Sequence, residues 1–422
     1  MPTMPAFQPI ADALVVVFTY GVSLRTWQET GGIDRELAMY RAIADRYQRI
    51  VLFTYGGPAD SQILKDALPA ELHDKFILLC NAERATTAEY AAAAPALVKR
   101  ALGQVGSLTR LTSAVVKTNQ MVGGRVAVKI AAGLTAEGVR CALVARGGYL
   151  WSRMAAYQHG NESRQAREAG ETEAVLCEHA DMVVGTTSGM IDDLAWRYGL
   201  GRERTRVISN YTVVPSNVAK PVDERTPGLL LFAGELTRRK RVDVLIDAVA
   251  MLDEEGRRGV TLEIVGDGPE MESLSEQAHR LGAPVIFRGR LPHAELNKRM
   301  GECTLYLQAS EMEGHPKTVL EAMAAGAAVV VANTPGQGET VAHGVTGLRV
   351  ALDAEAFSRA IVELSNDPDW RDVLGAGAAR AAQAGMSLGV IAPMEIESHE
   401  AALRGIRGNW HIASGKAERL AG

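Results

Sequence analysis

The sequence predicts an α/β protein built from two doubly wound parallel sheets, and three observations carry that expectation. Short runs rich in Val, Leu and Ile alternate with longer Ala-, Leu- and Arg-rich stretches along nearly the whole chain. The runs are apolar at successive positions, which suits parallel strands covered by helices on both faces. A segment carrying three prolines, residues 214–228, interrupts the alternation, and a new apolar run, LLLFA, begins straight after it. At ~100–200 residues per domain, the 422 residues suit two such domains.

In order, the expected strands of the first half are residues 14–18, 50–54, 76–79, 114–117, 141–145, 182–185 and 206–208. Gly31 and Gly32 follow the first strand and open an expected helix over 33–47, and the Ala-rich stretch 90–102 reads as another helix. The second half gives strands at 229–233, 262–265, 285–287, 305–307, 328–332 and 348–350. Helical spacing returns at 370–382 and at 396–407, where the last stretch is expected to cross back to the first domain. The expected domains are therefore 1–217 and 218–395, followed by a helix and tail over 396–422. Open α/β sheets bind ligands beyond the carboxyl ends of their strands, so two of them facing across a cleft direct the search to the loops that follow strands.

Composition removes several function classes. Lys and Arg number 45 against 50 Asp and Glu, and this slightly acidic balance argues against a general nucleic-acid binder. The apolar run 14–18 is too short for a signal sequence, and no run approaches the ~18 apolar residues of a membrane span. Cys80, Cys141, Cys177 and Cys303 form no C-x-x-C pair and read as reduced thiols of a cytoplasmic protein. Glycine, at 42 residues, exceeds the ~7% average and points to tight strand-to-helix turns and close backbone approaches.

The most informative segment is SEMEGHPKTVLEAMAAG, residues 310–326, which lies between two expected strands. Pro316 is placed to start a helix, where its missing N–H costs nothing. The amides of Lys317, Thr318 and Val319 would then be unsatisfied and offer an anion site. Glu313 and Glu321 are eight apart. In isolation they read as a helix cap and a solvated carboxylate rather than as a pair of ligands for sugar and ribose hydroxyls. The surrounding residues decide the matter. Glu-Gly-His-Pro followed by Glu-Ala-Met-Ala-Ala-Gly resembles the E-G-[FH]-[GP]-x-x-x-x-E-A-M-A-x-G segment of the family 4 retaining glycosyltransferases, which have the GT-B fold of two Rossmann-like domains.

The resemblance extends through the second half, as the nucleotide-sugar domain. LFAGELTRRKRVDVLIDA is similar to the family's G-R-L-x-x-x-K-G loop, whose Arg and Lys grip the donor diphosphate, and puts Lys240 at the lysine position. Glu235 stands where the family has arginine, which leaves Arg238 or Arg239 to supply the second cation or Glu235 to face away. The EIVGDGPE turn with Gly266, and the stretch VIFRGRLPHAEL with Arg290, match the segments near the nucleotide. TPGQGETVAHGVTGL matches a later loop. Gly-Asp-Gly-Pro lacks the third glycine of a dinucleotide fingerprint, which weakens an oxidoreductase reading.

The first half would be the acceptor-binding domain. Gly32 falls at the family's glycine pair beside the donor phosphate or acceptor, though a plain turn before a helix fits it equally. Residues 145–152, ARGGYLWS, occupy the place of a histidine that meets the transferred sugar in many members. Arg146 and Tyr149 stand there instead, as acceptor-side residues or as a buried aromatic with a capping arginine.

The resemblance thus implies transfer of sugar with retention from a nucleoside-diphosphate donor to a glycan, lipid-linked or small-molecule acceptor. Glu313 and Lys240 would be catalytic. Gly32, Arg238, Arg239, Gly266, Arg290, Gly314, His315, Pro316, Lys317, Thr318 and Glu321 would be on the donor side. It implies no metal and no cofactor. The histidines agree, since none shows H-x-H or H-E-x-x-H spacing, and Asp367-Pro-Asp369 reads as a helix cap. Residues 97–110 are basic and weakly amphipathic, and fit either a solvated face or peripheral contact at the inner membrane surface. Two rival classes remain in view: a sugar-nucleotide epimerase of the same architecture, and a catalytically silent nucleotide-binding scaffold.

Overall fold

A computed structural model describes residues 8–103, 111–213, 224–254 and 259–406. The chain divides into two compact units. One comprises residues up to Ile208 together with those from Ala392 onward, and the other is Ser209–Ile391.

The first unit holds a sheet of strands β1 (Ala11–Val17), β2 (Tyr47–Phe53), β3 (Phe76–Leu79), β4 (Ser113–Thr118), β5 (Arg140–Arg146), β6 (Met182–Gly185) and β7 (Thr205–Val207). Its order is β3-β2-β1-β4-β5-β6-β7, and every pairing is parallel. The second unit holds β8 (Leu229–Ala233), β9 (Thr261–Val265), β10 (Val285–Gly289), β11 (Leu305–Gln308), β12 (Ala328–Ala332) and β13 (Leu348–Val350), ordered β10-β9-β8-β11-β12-β13 and again parallel. In each sheet the strand order reverses beside the first strand. That switch point, between β1 and β4 or between β8 and β11, opens a crevice in which ligands of such sheets bind.

Burial on both faces explains why the strands read as unbroken apolar runs. In β8, Leu230 and Phe232 join one core with Leu262, Ile264, Leu305 and Leu307. Leu229, Leu231 and Ala233 join another with Tyr306, Val329 and Val331. Each such side chain contributes about 1.5–3 kcal/mol on leaving water.

Three local expectations need correction. Strand β2 begins at Tyr47, not at residue 50, because Tyr47 is fully buried and pairs in register with Ala11. The helix expected over 33–47 therefore stops at Ala42, and a 3-10 turn, Ala44–Arg46, leads into the strand. A short helix, Leu24–Glu29, separates the first strand from Gly31 and Gly32; Ser23 and Thr26 cap it reciprocally, a box written with Thr where Glu or Gln is usual. The last helix spans Leu388–Arg404 and carries Pro393 inside it, so it starts before the expected residue 396. The stretch 97–110 lies partly outside the described residues. Its described part ends the helix Thr87–Gly103 and buries Val98 and Leu102. Asp367 caps the helix Pro368–Met386 by accepting from the Trp370 amide. Among the described residues, no helix is long and apolar enough to cross a membrane.

Candidate active site

The site is assembled at the switch point of the second sheet. Strands β8 and β11 are neighbours, paired at Leu230 with Leu305 and at Leu231 with Tyr306. The loops that leave their carboxyl ends, residues 234–241 and 309–316, therefore run side by side. Their backbones are tied: the Glu311 amide donates to the Arg239 carbonyl at 2.9 Å, and the Arg239 guanidinium donates to the Met312 carbonyl at 2.5 Å. Arg241 adds an ion pair to Glu311 at 3.0 Å. It adopts φ 47°, a left-handed conformation that glycine takes at least cost.

This arrangement brings Lys240 Nζ to 2.6 Å and Arg239 Nη1 to 2.9 Å from the same oxygen, Oε1 of Glu313. All three side chains are mostly buried. Burial works to raise the Glu313 carboxyl, yet Lys240 and Arg239 beside it hold it below the usual carboxylate range. Two cations face one carboxylate, so the pocket carries a surplus of positive charge. Glu235, the residue that departs from the expected pattern, is exposed, and so is Arg238. Arg239, and not Arg238, stands beside Lys240 on Glu313.

Polar side chains buried around the loop hold Glu313 in place. Gln308, at the end of β11, donates to Ser310 Oγ at 2.9 Å and reaches Glu313 Oε1 at 3.5 Å. Gln337 and Thr334 both donate to the Ser310 carbonyl, at 2.8 and 2.7 Å. The Glu313 amide donates to the Pro335 carbonyl at 3.1 Å. Gly336 sits at φ 83°, where an added Cβ would fall 2.2 Å from the Glu313 carbonyl oxygen. Gly266 sits at φ 139°, and a Cβ there would fall 1.8 Å from the Gly234 carbonyl oxygen. Only glycine lets the segments after β12 and β9 approach these loops so closely.

Helix Lys317–Ala324 follows Pro316 and carries Glu321, which is fully buried. His293 donates from Nε2 to Glu321 Oε1 at 2.9 Å. The Val319 amide turns back to the Pro316 carbonyl at 3.1 Å, which removes one of the three expected anion donors. His315 is buried; its Nδ1 accepts from the Asn210 amide at 3.2 Å and its carbonyl from the Asn210 side chain at 2.7 Å. Arg290 is exposed on the loop after β10, with Nε 3.8 Å from Asp267 Oδ2. Sequence reading missed His293, Gln308, Ser310, Gln337 and Asn210. His293, Ser310, Gln337 and Asn210 lie within stretches that resemble family segments, and Gln308 carried a signal as a polar residue closing an otherwise apolar strand.

Gly32, Arg146 and Tyr149 belong to the first unit. Gly32 is buried as the N-cap of helix Ile33–Ala42. Arg146, at the end of β5, is buried, and its Nε lies 2.7 Å from Glu395 Oε1. Tyr149 is half-buried. Among the described residues no three His, Cys, Asp or Glu side chains are grouped to hold a metal ion.

Fold and site together define a class, a two-sheet α/β chain with Lys240 and Arg239 paired to Glu313 at one switch point. Residues 215–381 match the family described as glycosyl transferases group 1. The chain is similar to the glycogen synthase of Mycobacterium tuberculosis strain H37Rv, at 31% identity over 212 residues, 48% of this chain and 50% of that protein. It is similar to the D-inositol 3-phosphate glycosyltransferase of Streptomyces avermitilis, at 31% over 242 residues, 52% of this chain and 51% of that protein. The chain thus spans about half the length of these curated relatives. Anabaena Alr3699/HepE, solved in complex with UDP-glucose, superposes with a TM-score of 0.67 at 19% identity, covering 92% of this chain and 98% of that one. Sucrose-phosphate synthase from Thermosynechococcus elongatus gives 0.68 at 21%, covering 93% and 98%. The fold is that of the GT-B glycosyltransferases, and the match to the group 1 family falls within the second unit.

Proposed function

We propose that the protein is a retaining glycosyltransferase that moves a sugar from a nucleoside-diphosphate donor to a glycan, lipid-linked or small-molecule acceptor, without a metal ion. The observation that carries this reading is the placement of Lys240 and Arg239 on Glu313 at the switch point of the second sheet. As the sugar–phosphate bond breaks, negative charge builds on the departing β-phosphate. Lys240, Arg239 and the first turn of helix Lys317–Ala324 are the groups to stabilise it. Glu313, held ionised, is suited to bind sugar hydroxyls and to favour the oxocarbenium-like transition state. Glu321 is suited to the ribose diol, so that remote binding energy positions the reacting carbon. Retention follows if the acceptor attacks from the face of the leaving phosphate, whose oxygen takes the acceptor proton. The UDP-glucose bound by the Anabaena neighbour supports a nucleotide-sugar donor. The four cysteines are free thiols, which supports a reducing, cytoplasmic setting.

A thermal-shift panel of UDP- and GDP-sugars tests the reading, because a ligand bound by the native state alone raises stability by RT ln(1 + [L]/Kd). The expected result is a shift with one base and one sugar, followed by transfer when acceptors are added. Donors that are epimerised without an acceptor, or that bind and never turn over, would contradict it.

A further inference from the structure

We infer that His293 is a positioning residue for the nucleotide ribose, acting through Glu321. The inference rests on the donor-site reading above and adds a residue to it. Glu321 lies in the middle of helix Lys317–Ala324 and is fully buried, so an unguided carboxyl there has few fixed directions from which to meet a diol. His293 is the first residue of helix His293–Glu302, is mostly buried, and places Nε2 2.9 Å from Glu321 Oε1. A carboxylate oxygen accepts, so the imidazole proton sits on Nε2. Holding one oxygen fixes the plane of the whole carboxylate, and therefore the direction in which it accepts from two neighbouring hydroxyls. The histidine is itself held, because its helix follows Pro292 and buries Asn297 and Met300. Only two residues separate it from Arg290 on the loop after β10. His293 thus couples that loop to the helix that carries Glu321. This is how a supporting residue sharpens a site it does not touch.

The test compares ribose with deoxyribose. Affinities of the full chain for UDP, GDP and their 2′-deoxy counterparts are measured by titration calorimetry for wild type, His293→Ala and His293→Gln. Wild type is expected to favour the ribonucleotide of one base by about 10-fold or more, the scale of a hydrogen bond to a charged group. His293→Ala should lose most of that preference by weakening the ribonucleotide alone. His293→Gln, whose amide can donate to the same oxygen, should recover it. Should His293→Ala prove unstable, His293→Asn, too short to bridge the gap, serves in its place. Equal weakening of ribo- and deoxyribonucleotide, or no change in either, would overturn the inference while leaving the donor site intact. Wild type that binds neither UDP nor GDP would overturn the donor-site reading and this inference with it.

Discussion

Lys240 and Arg239 converge on a single oxygen of Glu313, at 2.6 and 2.9 Å, from a loop that belongs to the neighbouring strand. Neither cation is idle before a donor arrives. The ion pairs hold both cations in place, so a diphosphate bound as proposed would meet groups that need little reorganisation.

The first prediction concerns which arginine matters. Arg239→Ala should weaken binding of the donor selected by the ligand panel by about 10-fold or more, since it removes a charge-assisted contact. Glu235→Ala should change binding by less than about twofold, because its carboxylate is exposed and screened. Calorimetric titration of both variants decides between them. A Glu235 effect as large as that of Arg239 would show that the exposed carboxylate takes part.

Gly336 is expected to act through Glu313. Gly336→Ala pushes a Cβ against the Glu313 and Gly314 carbonyl oxygens, at 2.2 and 2.5 Å, and must displace the loop. A shift of about 1 Å at a reacting group is enough to cost roughly 100-fold in turnover. Gly344→Ala provides the contrast, for its φ is similarly positive at 74° but open space surrounds it. It should lower the melting temperature by a few degrees and leave turnover near wild type.

A third prediction follows from the first unit, where Glu395, Lys117, Arg146 and His399 form a buried cluster. Glu395 lies 3.1 Å from Lys117 and 2.7 Å from Arg146, and His399 shares a 2.7 Å hydrogen bond with Tyr47. Burial alone would raise the Glu395 carboxyl, but Arg146 and Lys117 pull it down to about 2. Burial, reinforced by Lys117, lowers His399 to about 3. In both cases the unfolded chain binds the proton first, below about 6.5 for the imidazole and about 4.5 for the carboxyl. Stability should therefore rise with pH across 3–6.5 and fall steadily on acidification. His399→Gln has no imidazole to ionise, so its melting temperature should vary less than that of wild type between pH 6.5 and 4.5. Parallel curves for the two proteins would contradict this account.

Much of this was legible in the residues themselves. Among the described residues each of the thirteen strands falls on an expected apolar run, and those covered on both faces leave no alternation to misread. Lys240 and Glu313 could be singled out because each lies in a motif carried by short spacings within its own strand–loop–helix unit. The partners of those residues were not legible. Asn210 meets His315, and Arg146 meets Glu395, across long stretches of chain that only the folded packing closes. Spacing does not encode such contacts, and an arginine at a strand end reads alike whether it awaits a substrate or neutralises a buried carboxylate. Glu235 shows the reverse case: read as a break in the phosphate grip, it turns out to face solvent while Arg239 takes the place beside Glu313.

The central claim is that Lys240 stabilises charge on a departing diphosphate, and turnover of the identified donor by Lys240→Ala tests it most directly. The variant should fold, as judged by an unchanged circular dichroism spectrum. Its turnover should fall by at least ~100-fold with acceptor and donor both saturating, the scale of losing one transition-state charge contact. A folded Lys240→Ala protein that transfers sugar at near wild-type rate would contradict the account.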